Sequence, residues 1–329
     1  MKKFDDLFQK FSEIKVGIIG DVMLDTYMWG HVERISPEAP VPVVLLDNRE
    51  LRLGGAGNVA LNIQALGAPV FVISVIGADD DANRLTGLFH QQNIDGTYVV
   101  KSSNRITTNK TRIISRNQQM MRLDAEITTD LQREEEEIII ERFKTFIAEQ
   151  APQVVILQDY NKGVLTKNVI ETVIGICKET GVLTAVDPKR KNFLAYKGVD
   201  IFKPNLKEVR EALNLLFTDV DQGMLEKIHA ELYQHLQHHI SFITLSECGV
   251  FYQQENDAAL IPSHLRNIAD VSGAGDTVIA VAALVYAATK DMALMAKMAN
   301  IAGGLVCEEV GTAAINKTKL MHECALLLS

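Results

Sequence analysis

The sequence predicts an α/β fold, in which a doubly wound, mostly parallel sheet carries helices on both faces and a small β lid lies beside it. Short apolar runs of strand length alternate with helical segments over most of the chain, which is typical of parallel sheets. Two patches, about 31–53 and 96–124, break this alternation and indicate the lid. We expect residues 1–329 to form one domain, because no linker composition interrupts them.

The first part of the chain contains both lid segments and five further predicted elements. Three prolines between positions 37 and 42 exclude a helix there and favour an edge strand. A period-two pattern within 96–124, clearest at 111–116, predicts two half-exposed strands of the second lid segment. The other predicted elements before residue 100 are a helix at 1–13, a strand at 15–21, an edge strand at 41–46, a helix at 54–67 and a strand at 70–76.

The second part of the chain is more regular. Helical periodicity and short apolar runs alternate there, as a parallel sheet with crossover helices requires. The predicted elements are helix 131–150, strand 154–157, helix 167–180, strands 183–187 and 200–203, helices 206–216 and 223–238, strands 241–245 and 249–253, and two C-terminal helices.

Composition narrows the function. The net charge of −9 argues against a nucleic-acid partner, which requires a basic face. We expect no signal peptide and no membrane span, because the apolar segments are too short. The four widely spaced cysteines indicate reduced thiols in a cytoplasmic protein. The histidines at 229, 235, 238 and 239 are expected to line a solvated helix face.

The segment 270–277 carries the clearest chemical signal. Gly273 and Gly275 allow a tight turn, and an apolar run at 278–288 predicts a buried helix after it. Unpaired amides at such a helix start bind phosphate. Asp276 in this turn suits a general base that removes a hydroxyl proton beside the bound phosphoryl group. The alternative is structural, with Ser272 capping the helix and Asp276 complementing its dipole.

A second glycine-rich segment, 55–60, fits the dinucleotide fingerprint, with Asp79 following, and would indicate an NAD(P)-dependent oxidoreductase. That motif requires a strand ending at its first glycine, whereas the predicted strand ends near Leu46. We therefore expect Gly54 and Gly55 to allow close approach to a hydroxylated ligand. Asn58 would then contact two of its hydroxyl groups.

Further candidates follow strand ends and lie on the lid. Asp21 and Asp25 come just after the first strand, where ligands collect in open α/β sheets. Asn205 and Glu208 are either a helix cap with its partner or a pair that orients water on Mg²⁺. Basic residues on the lid form either a solvated surface or a site for an anionic group. They are Lys110, Arg112, Arg116 and Arg122.

Together, the glycine-rich run at 54–58, the Asn-x-x-Glu segment at 205–208 and the segment 270–277 resemble the ribokinase-like family of carbohydrate kinases. Within that family, further segments are similar to the bacterial heptose-7-phosphate kinases. These segments are 20–25, 34–43, 122–124, 159–163, 186–189 and 246–249. The resemblance covers nearly the whole chain, and we expect either a stand-alone kinase or the kinase part of a fused enzyme.

This resemblance implies an ATP- and Mg²⁺-dependent kinase for the anomeric hydroxyl of D-glycero-β-D-manno-heptose 7-phosphate, on the way to ADP-heptose and lipopolysaccharide. Alternatives are a kinase for another sugar or nucleoside, or a catalytically silent sugar-binding regulator. Apolar lid residues at Val41, Val43, Ile113 and Met121 predict a homodimer joined through the lids.

The resemblance also implies site residues. Asp276 would be the base, with the amides of Gly273, Ala274 and Gly275 completing the anion site. The sugar phosphate would contact Asp25, Gly54, Gly55, Asn58, Lys110, Arg112, Arg122 and Asp159. The nucleotide would contact Lys189, Asn205, Leu206, Lys207, Glu208, Ser246, Gly249 and Asn300, with the Gly311-Thr312 turn near the adenine. Glu208 would reach Mg²⁺ through water.

Overall fold

The protein was analysed as a computed structural model that describes residues 2–116, 118–215 and 220–328. The strands are β1 Val16–Gly20, β2 Val22–Ile35, β3 Pro42–Gly55, β4 Val70–Gly77, β5 Asp95–Ser102, β6 Asn109–Ser115, β7 Gln118–Ala125, β8 Val154–Gln158, β9 Leu183–Asp187, β10 Ile201–Phe202, β11 Ile240–Thr244, β12 Val250–Gln254 and β13 Asp257–Ile261. The helices are α1 Lys2–Lys10, α2 Ala56–Ala65, α3 Asp80–Gln91, α4 Arg133–Gln150, α5 Lys167–Thr180, α6 Leu206–Leu213, α7 Gln222–Leu236, α8 Ala274–Thr289, α9 Met292–Val306 and α10 Lys317–Leu327.

The larger sheet holds nine strands within the described residues, in the order β13-β12-β11-β10-β9-β8-β1-β4-β5. The seven strands from β11 to β5 in this order are parallel, and β12 and β13 form an antiparallel edge. From β1 the chain first adds β4 and β5 on one side, and then crosses to β8 on the other. The carboxyl ends of β1, β8 and β9 therefore meet at a topological switch point, where open α/β sheets bind ligands.

Helices cover both faces of this sheet. Helix α8 is apolar all round because it is buried, and it packs with α2 and α9 in one hydrophobic core. Helices α4, α5 and α7 contribute to the core on the opposite face. The predicted doubly wound architecture is confirmed. Among the described residues, none of the helices combines the length and apolar character that crossing a bilayer requires.

A second sheet of four strands, β3-β2-β6-β7, stands beside the first. Strand β2 begins at Val22, and only Asp21 lies between it and the end of β1, so that Asp21 links the two sheets. Its pairing with β3 runs from Val22 opposite Gly55 to Ile35 opposite Pro42. The sequence predicted this strand pair only for 31–53. The inner half of β2 is buried on both faces and therefore lacks the period-two signal of a half-exposed strand.

Three further expectations were wrong in extent. Residues 96–102 were predicted as part of the lid but belong to β5, at the edge of the larger sheet. An edge strand has one packed and one solvated face, so its sequence pattern is the same as that of a half-exposed lid strand. The strand predicted to end near Leu46 continues to Gly55, since its charged residues lie on an exposed edge. Helix α6 ends at Leu213, and the predicted end at residue 216 lies outside the described residues.

The sequence did not predict α3 or β13. Helix α3 begins at an Asp79 cap, whose side chain accepts the amide of Ala82 at 2.8 Å. The other carboxylate oxygen of Asp79 accepts the amide of Thr107 at 2.7 Å, which ties the helix start to the segment before β6. Asp79 thus has a structural role here.

The expectation that the histidines at 229, 235, 238 and 239 share a solvated face was wrong for two of them. His238 is fully buried, and its Nε2 lies 2.6 Å from the Ser241 hydroxyl. His229 is also buried, with Nδ1 2.9 Å from the same hydroxyl. Burial, with a smaller contribution from repulsion by His229 and His239, lowers the pKa of His238 to about 3. The neutral imidazole is therefore the native form.

Acidification should destabilise the fold through His238. The unfolded chain binds a proton below pH 6.5, whereas the folded imidazole does not until about pH 3, so stability is lost as pH falls between these values. This group should cost about 2 kcal/mol of unfolding free energy between pH 7.5 and pH 5. Urea unfolding at both pH values should show a smaller difference in His238→Asn. His235→Asn, an exposed control, should retain the wild-type difference. An unchanged pH dependence in His238→Asn would contradict this account.

Candidate active site

The candidate site lies at the switch point, where chain segments far apart in sequence converge. Asp21 follows β1, Gln158 ends β8 and Asp187 ends β9. Asp276 lies in the first turn of α8, and Asn58 in the first turn of α2. The structure thus brings the predicted Asp276 and Asn58 together, with Asn58 Nδ2 2.8 Å from Asp276 Oδ2.

The turn before α8 presents free amides. Gly273 occupies the left-handed region at φ 79°, and a side chain there would approach Asn58 Nδ2 to 2.7 Å. Asp270 folds the turn, because its side chain accepts the amide of Ser272 at 2.9 Å and that of Gly311 at 2.9 Å. Ser272 therefore bonds to Asp270 and does not cap α8.

Not every amide of this turn is available to a ligand. The amide of Ala274 donates to the Val271 carbonyl at 3.3 Å. No acceptor in the described part of the chain receives the amides of Gly273, Gly275 or Asp276. Three unpaired amides at the positive end of a buried helix form a site for an anion such as phosphate.

Asp276 is 2% exposed and has three side-chain donors. Oδ2 accepts from Asn58 Nδ2, and Oδ1 accepts from Gln158 Nε2 at 3.0 Å and from the Tyr160 hydroxyl at 2.7 Å. Burial raises the pKa of Asp276 to about 6, against the lowering effect of Asn58 and Tyr160. The carboxylate is therefore ionised in most molecules at neutral pH, as a proton acceptor must be.

Two lysines lie beside the turn. Lys203 is 2% exposed, and its Nζ is 3.2 Å from Asp187 Oδ1. Lys189 Nζ is 3.5 Å from the same oxygen and 2.6 Å from Glu208 Oε1. Burial opposes the ionisation of Asp187, but Lys189 and Lys203 lower its pKa. A first side-chain carbon at Gly275 would lie 3.8 Å from Lys203 Nζ, which places this positive charge at the anion-binding turn.

Both interpretations of Asn205 and Glu208 have a basis in the geometry. The two residues form a reciprocal cap of α6, with the Glu208 amide 2.8 Å from Asn205 Oδ1 and the Asn205 amide 2.8 Å from Glu208 Oε2. The other oxygen of Glu208 pairs with Lys189. Glu208 therefore caps its helix and also reaches the cluster of charges beside the turn.

The predicted sugar-side residues form a crowded corner. A side chain at Gly54 would approach Asp25 Oδ2 to 2.4 Å, and one at Gly55, with φ 58°, would approach the Asp21 carbonyl to 2.4 Å. The close approach that these glycines allow is therefore between chain segments of the site itself. Asp25 pairs with Arg112 at 2.5 Å.

The carboxylate oxygens of Asp159 and Asp21 accept hydrogen bonds from protein donors. Asp159 accepts from the amide of Asn161 at 2.7 Å and from the Tyr196 hydroxyl at 2.7 Å. Burial, together with the nearby charge of Asp21, raises the pKa of Asp159 to about 6. Asp21 accepts the amides of Tyr160, at 2.8 Å, and of two more residues of the loop after β8, Lys162 and Val164. Both carboxylates therefore shape the loop after β8.

The lid cations differ in their partners. Arg112 is paired with Asp25, and Arg122 makes two bonds to Asp124, at 2.8 and 2.6 Å. Arg116 lies exposed at the far end of β6. Lys110 has no carboxylate within 4 Å among the described residues, and its Nζ lies 5.3 Å from the Tyr160 ring centroid. Burial lowers the pKa of Lys110, and Lys162 lowers it further by repulsion.

Of the predicted nucleotide residues outside α6, Lys189 lies beside the turn. Ser246, Gly249 and Asn300 lie instead around the segment that follows β13. Ser246 and Gly249 take left-handed conformations at φ 56° and φ 98°. A side chain at Gly249 would approach the Ile261 carbonyl to 2.0 Å, so this turn requires glycine. Asn300 Nδ2 donates to the Pro262 carbonyl at 2.9 Å. Leu206 and Lys207 begin α6, and the Lys207 side chain is largely exposed.

Four site residues received no role in the sequence analysis. Gln158 and Tyr160 donate to Asp276, and Asp187 and Lys203 form the ion pair beside the turn. Their shared signal is position, since each lies at or just after the carboxyl end of a parallel strand. That signal alone does not show which side chains meet.

Residues 14–319 match the model of the pfkB family of carbohydrate kinases. Curated relatives include the bifunctional protein HldE of Geotalea uraniireducens, 38% identical over 325 residues, and that of Desulfatibacillum aliphaticivorans, 39% identical over 313 residues. These matches cover 98% and 94% of this chain. They cover 65% and 63% of the relatives, so the chain spans less than two thirds of their length.

Solved structures share the fold at low identity. Phosphofructokinase-2 from Escherichia coli in complex with potassium aligns with a TM-score of 0.80 at 17% identity, covering 96% of this chain and 100% of that one. Arabidopsis thaliana ribokinase complexed with ribose and ATP aligns with a TM-score of 0.70 at 14% identity, covering 94% and 98%. These alignments confirm the predicted ribokinase-like α/β architecture.

Proposed function

Because this chain belongs to the pfkB family of carbohydrate kinases, we propose that it transfers the γ-phosphate of ATP to the anomeric hydroxyl of D-glycero-β-D-manno-heptose 7-phosphate. The chain is a carbohydrate kinase, and kinases of this family use ATP, typically with a divalent metal. The substrate proposal comes from the sequence resemblance to the heptose-7-phosphate kinases. The product would be the 1,7-bisphosphate, on the route to ADP-heptose and lipopolysaccharide.

One observation carries this proposal: an ionisable carboxylate, Asp276, is held by three donors beside free amides of the same turn. In the proposed reaction, Asp276 takes the proton of the anomeric hydroxyl, and the freed oxygen electron pair forms a bond to the γ-phosphorus. The bond between that phosphorus and the bridging oxygen breaks, and its electron pair leaves with ADP. The amides of Gly273 and Gly275 would hold the transferred phosphoryl group.

The nucleotide phosphates would lie against Lys189 and Lys203, whose ammonium groups border the turn. The stretch Asn205–Glu208 would border the same phosphates. We assign the edge formed by Ser246, Gly249 and Asn300 to the nucleoside, and the Gly311-Thr312 turn to the adenine side. These assignments follow the sequence resemblance. The contact between Lys189 and Glu208 supports the grouping of Lys189 with the stretch Asn205–Glu208.

The residues fit a magnesium ion that is held mainly by the nucleotide. No group of three or more His, Cys, Asp or Glu side chains within the described residues forms a metal site. Both oxygens of Glu208 already have donors, so Glu208 suits contact with metal-bound water. Mg²⁺, when bound, would neutralise charge on the transferred and leaving phosphates.

The sugar would lie between the Gly54–Asn58 segment and the small sheet. Asn58 donates to Asp276 and keeps a buried carbonyl oxygen without a donor in the described part of the chain. That oxygen suits a sugar hydroxyl. Asp25 is held by Arg112 and would accept a second hydroxyl. Asp159 would act through the loop that it shapes, since its oxygens have protein donors.

The 7-phosphate would bind Lys110. Of the basic residues predicted on the lid, Arg112 and Arg122 are neutralised by Asp25 and Asp124, whereas Lys110 has no carboxylate partner and is partly removed from water. A poorly solvated, unpaired ammonium group gains most from a phosphate dianion. The structure therefore favours Lys110 over Arg122 as the main phosphate contact.

Other sugars or nucleosides remain the alternative substrates for this kinase. The oxidoreductase alternative fails. Strand β3 does run directly into Gly55, contrary to the sequence expectation, but it is antiparallel to β2 in the small sheet. The dinucleotide fingerprint needs a parallel βαβ unit. We place the kinase in the cytoplasm, and the four free cysteines support a reducing compartment.

Lys110→Met should reduce the preference for the phosphorylated sugar. A charge-assisted bond is worth roughly 1.5–3 kcal/mol, so kcat/KM for heptose 7-phosphate should fall by about 10- to 150-fold. The kcat/KM for unphosphorylated heptose and the Kd of ATP should change little. A coupled assay of ADP release measures both sugars.

Arg116→Met is the matched control, because it removes a charge from the exposed end of the same strand. It should leave the preference intact. Equal wild-type kcat/KM for the two sugars would refute the heptose-phosphate proposal. An unchanged preference in Lys110→Met would contradict Lys110 as the phosphate contact and would indicate that another cation binds the 7-phosphate.

We also propose a homodimer joined through the small sheets. Exposed apolar side chains on or next to that sheet include Val41, Leu46, Met121 and Leu123, which are 51–57% exposed. The predicted Val43 and Ile113 are half-buried. Strands β3 and β7 leave open edges. A sheet with these features gains stability by covering them with a second copy.

Light scattering at micromolar concentration should give the mass of a dimer. Met121→Glu should yield monomers, because it places a charge in the covered face. Ile138→Glu is the control, since Ile138 is an exposed apolar residue on α4 of the main body. A monomeric wild type, or a dimer that survives Met121→Glu, would refute assembly through the small sheets.

A further inference from the structure

Tyr160 joins the candidate base to the two sides of the site. Its hydroxyl donates to Asp276 Oδ1 at 2.7 Å. The ring centroid lies 5.3 Å from Lys110 Nζ, on the small-sheet side, and 5.5 Å from Lys189 Nζ, beside the anion-binding turn. The backbone is fixed as well, because the Tyr160 amide donates to the buried Asp21 at 2.8 Å. The hydroxyl is therefore placed by an anchored main chain.

The two oxygens of Asp276 differ in their free acceptor capacity. Oδ1 receives two donors, the Tyr160 hydroxyl and Gln158 Nε2. Oδ2 receives one, Asn58 Nδ2. A carboxylate oxygen has two lone pairs in its plane, so Oδ1 is filled and Oδ2 has one free acceptor direction. The carbonyl oxygen of Asn58, also buried and without a donor in the described residues, belongs to the amide beside Oδ2.

We propose that Tyr160 is a positioning residue that occupies Oδ1 together with Gln158 and so leaves Oδ2 as the atom that accepts the proton of the reacting hydroxyl. This inference rests on the proposed kinase function. The proton moves from the sugar hydroxyl to Oδ2, while the oxygen electron pair forms the bond to phosphorus. Tyr160 keeps its own proton throughout.

The charges around the pair support a permanent donor role. Burial raises the pKa of Tyr160 well above its usual value, and Asp276 raises it further, so the hydroxyl stays protonated. The bond from Tyr160 in turn lowers the pKa of Asp276 against the effect of burial. The charged groups that face the pair come from four segments. They are Asp25 on β2, Lys110 on β6, Asp187 and Lys189 around the end of β9, and Lys203 after β10.

Tyr160→Phe tests the role, with Tyr196→Phe as a matched control. Tyr196, like Tyr160, donates to a buried carboxylate, but its partner is Asp159 and its own side chain is fully buried. In Tyr160→Phe, kcat should fall about twofold at pH 7 and about 10-fold at pH 5, because Asp276 loses a donor to its charged form and is protonated in more molecules. KM for the sugar phosphate and for ATP should stay within about threefold. The acidic limb of the kcat profile should move up by about one pH unit. Tyr196→Phe should leave that limb in place.

A substrate-free measurement separates this inference from the proposed function. Carbon-13 NMR of labelled aspartate carboxyl groups, with the Asp276 resonance assigned by its loss in Asp276→Asn, gives the Asp276 titration directly. It should move up by about one pH unit in Tyr160→Phe and remain unchanged in Tyr196→Phe. This result would stand even if heptose 7-phosphate proved not to be a substrate.

Two outcomes would overturn the inference. An unchanged Asp276 titration in Tyr160→Phe would show that the hydroxyl does not act on the carboxylate. A raised KM for the sugar with unchanged kcat would show instead that Tyr160 contacts the substrate.

Discussion

The proposed base is a carboxylate buried at the switch point of the sheet, and the need to keep it ionised accounts for much of the site. Burial alone favours the neutral acid, and the pKa of Asp276 is accordingly raised to about 6. Donors from three separate segments oppose that effect: Asn58 at the start of α2, Gln158 at the end of β8, and Tyr160 in the loop beyond. Each donor depends on the relative placement of a helix, a strand and a loop, so the fold itself sets the pKa of the proposed base.

Two neighbouring buried carboxylates, Asp187 and Asp21, also have groups beside them that stabilise the ionised form. Asp187 is buried within reach of Lys189 and Lys203, which lower its pKa and keep it ionised. Asp21 is buried too, and backbone amides of the loop after β8 satisfy it. Asp21 and Asp276 therefore differ in their acceptor capacity: backbone amides occupy the oxygens of Asp21, whereas Asp276 keeps one acceptor direction open.

Local patterns could predict part of this arrangement. The glycines before α8, the apolar helix after them and the acid within the turn are adjacent in sequence, so the anion site and Asp276 could be recognised together. The cap at Asn205 and Glu208 was recognisable for the same reason. The bonds from Gln158 and Tyr160 span 118 and 116 residues, and no local spacing indicates them. The partners of the lid cations were likewise hidden, since the Arg112–Asp25 pair depends on the register of β2 and β6. Arg122 pairs within its own strand with Asp124, so Lys110 alone of the cations predicted to contact the sugar phosphate lacks a carboxylate partner among the described residues.

The position of the new phosphate tests the central claim most directly. Phosphorus NMR of the reaction of ATP with heptose 7-phosphate should show a second sugar phosphate signal, coupled to the anomeric proton and equal in amount to the ADP formed. Asp276→Asn should form that signal ~10²–10⁴-fold more slowly, which is the usual contribution of a general base, with little change in ATP affinity. Phosphate on another carbon, or ADP formed with inorganic phosphate alone, would contradict the account. So would an Asp276→Asn variant that retains a third of the wild-type kcat.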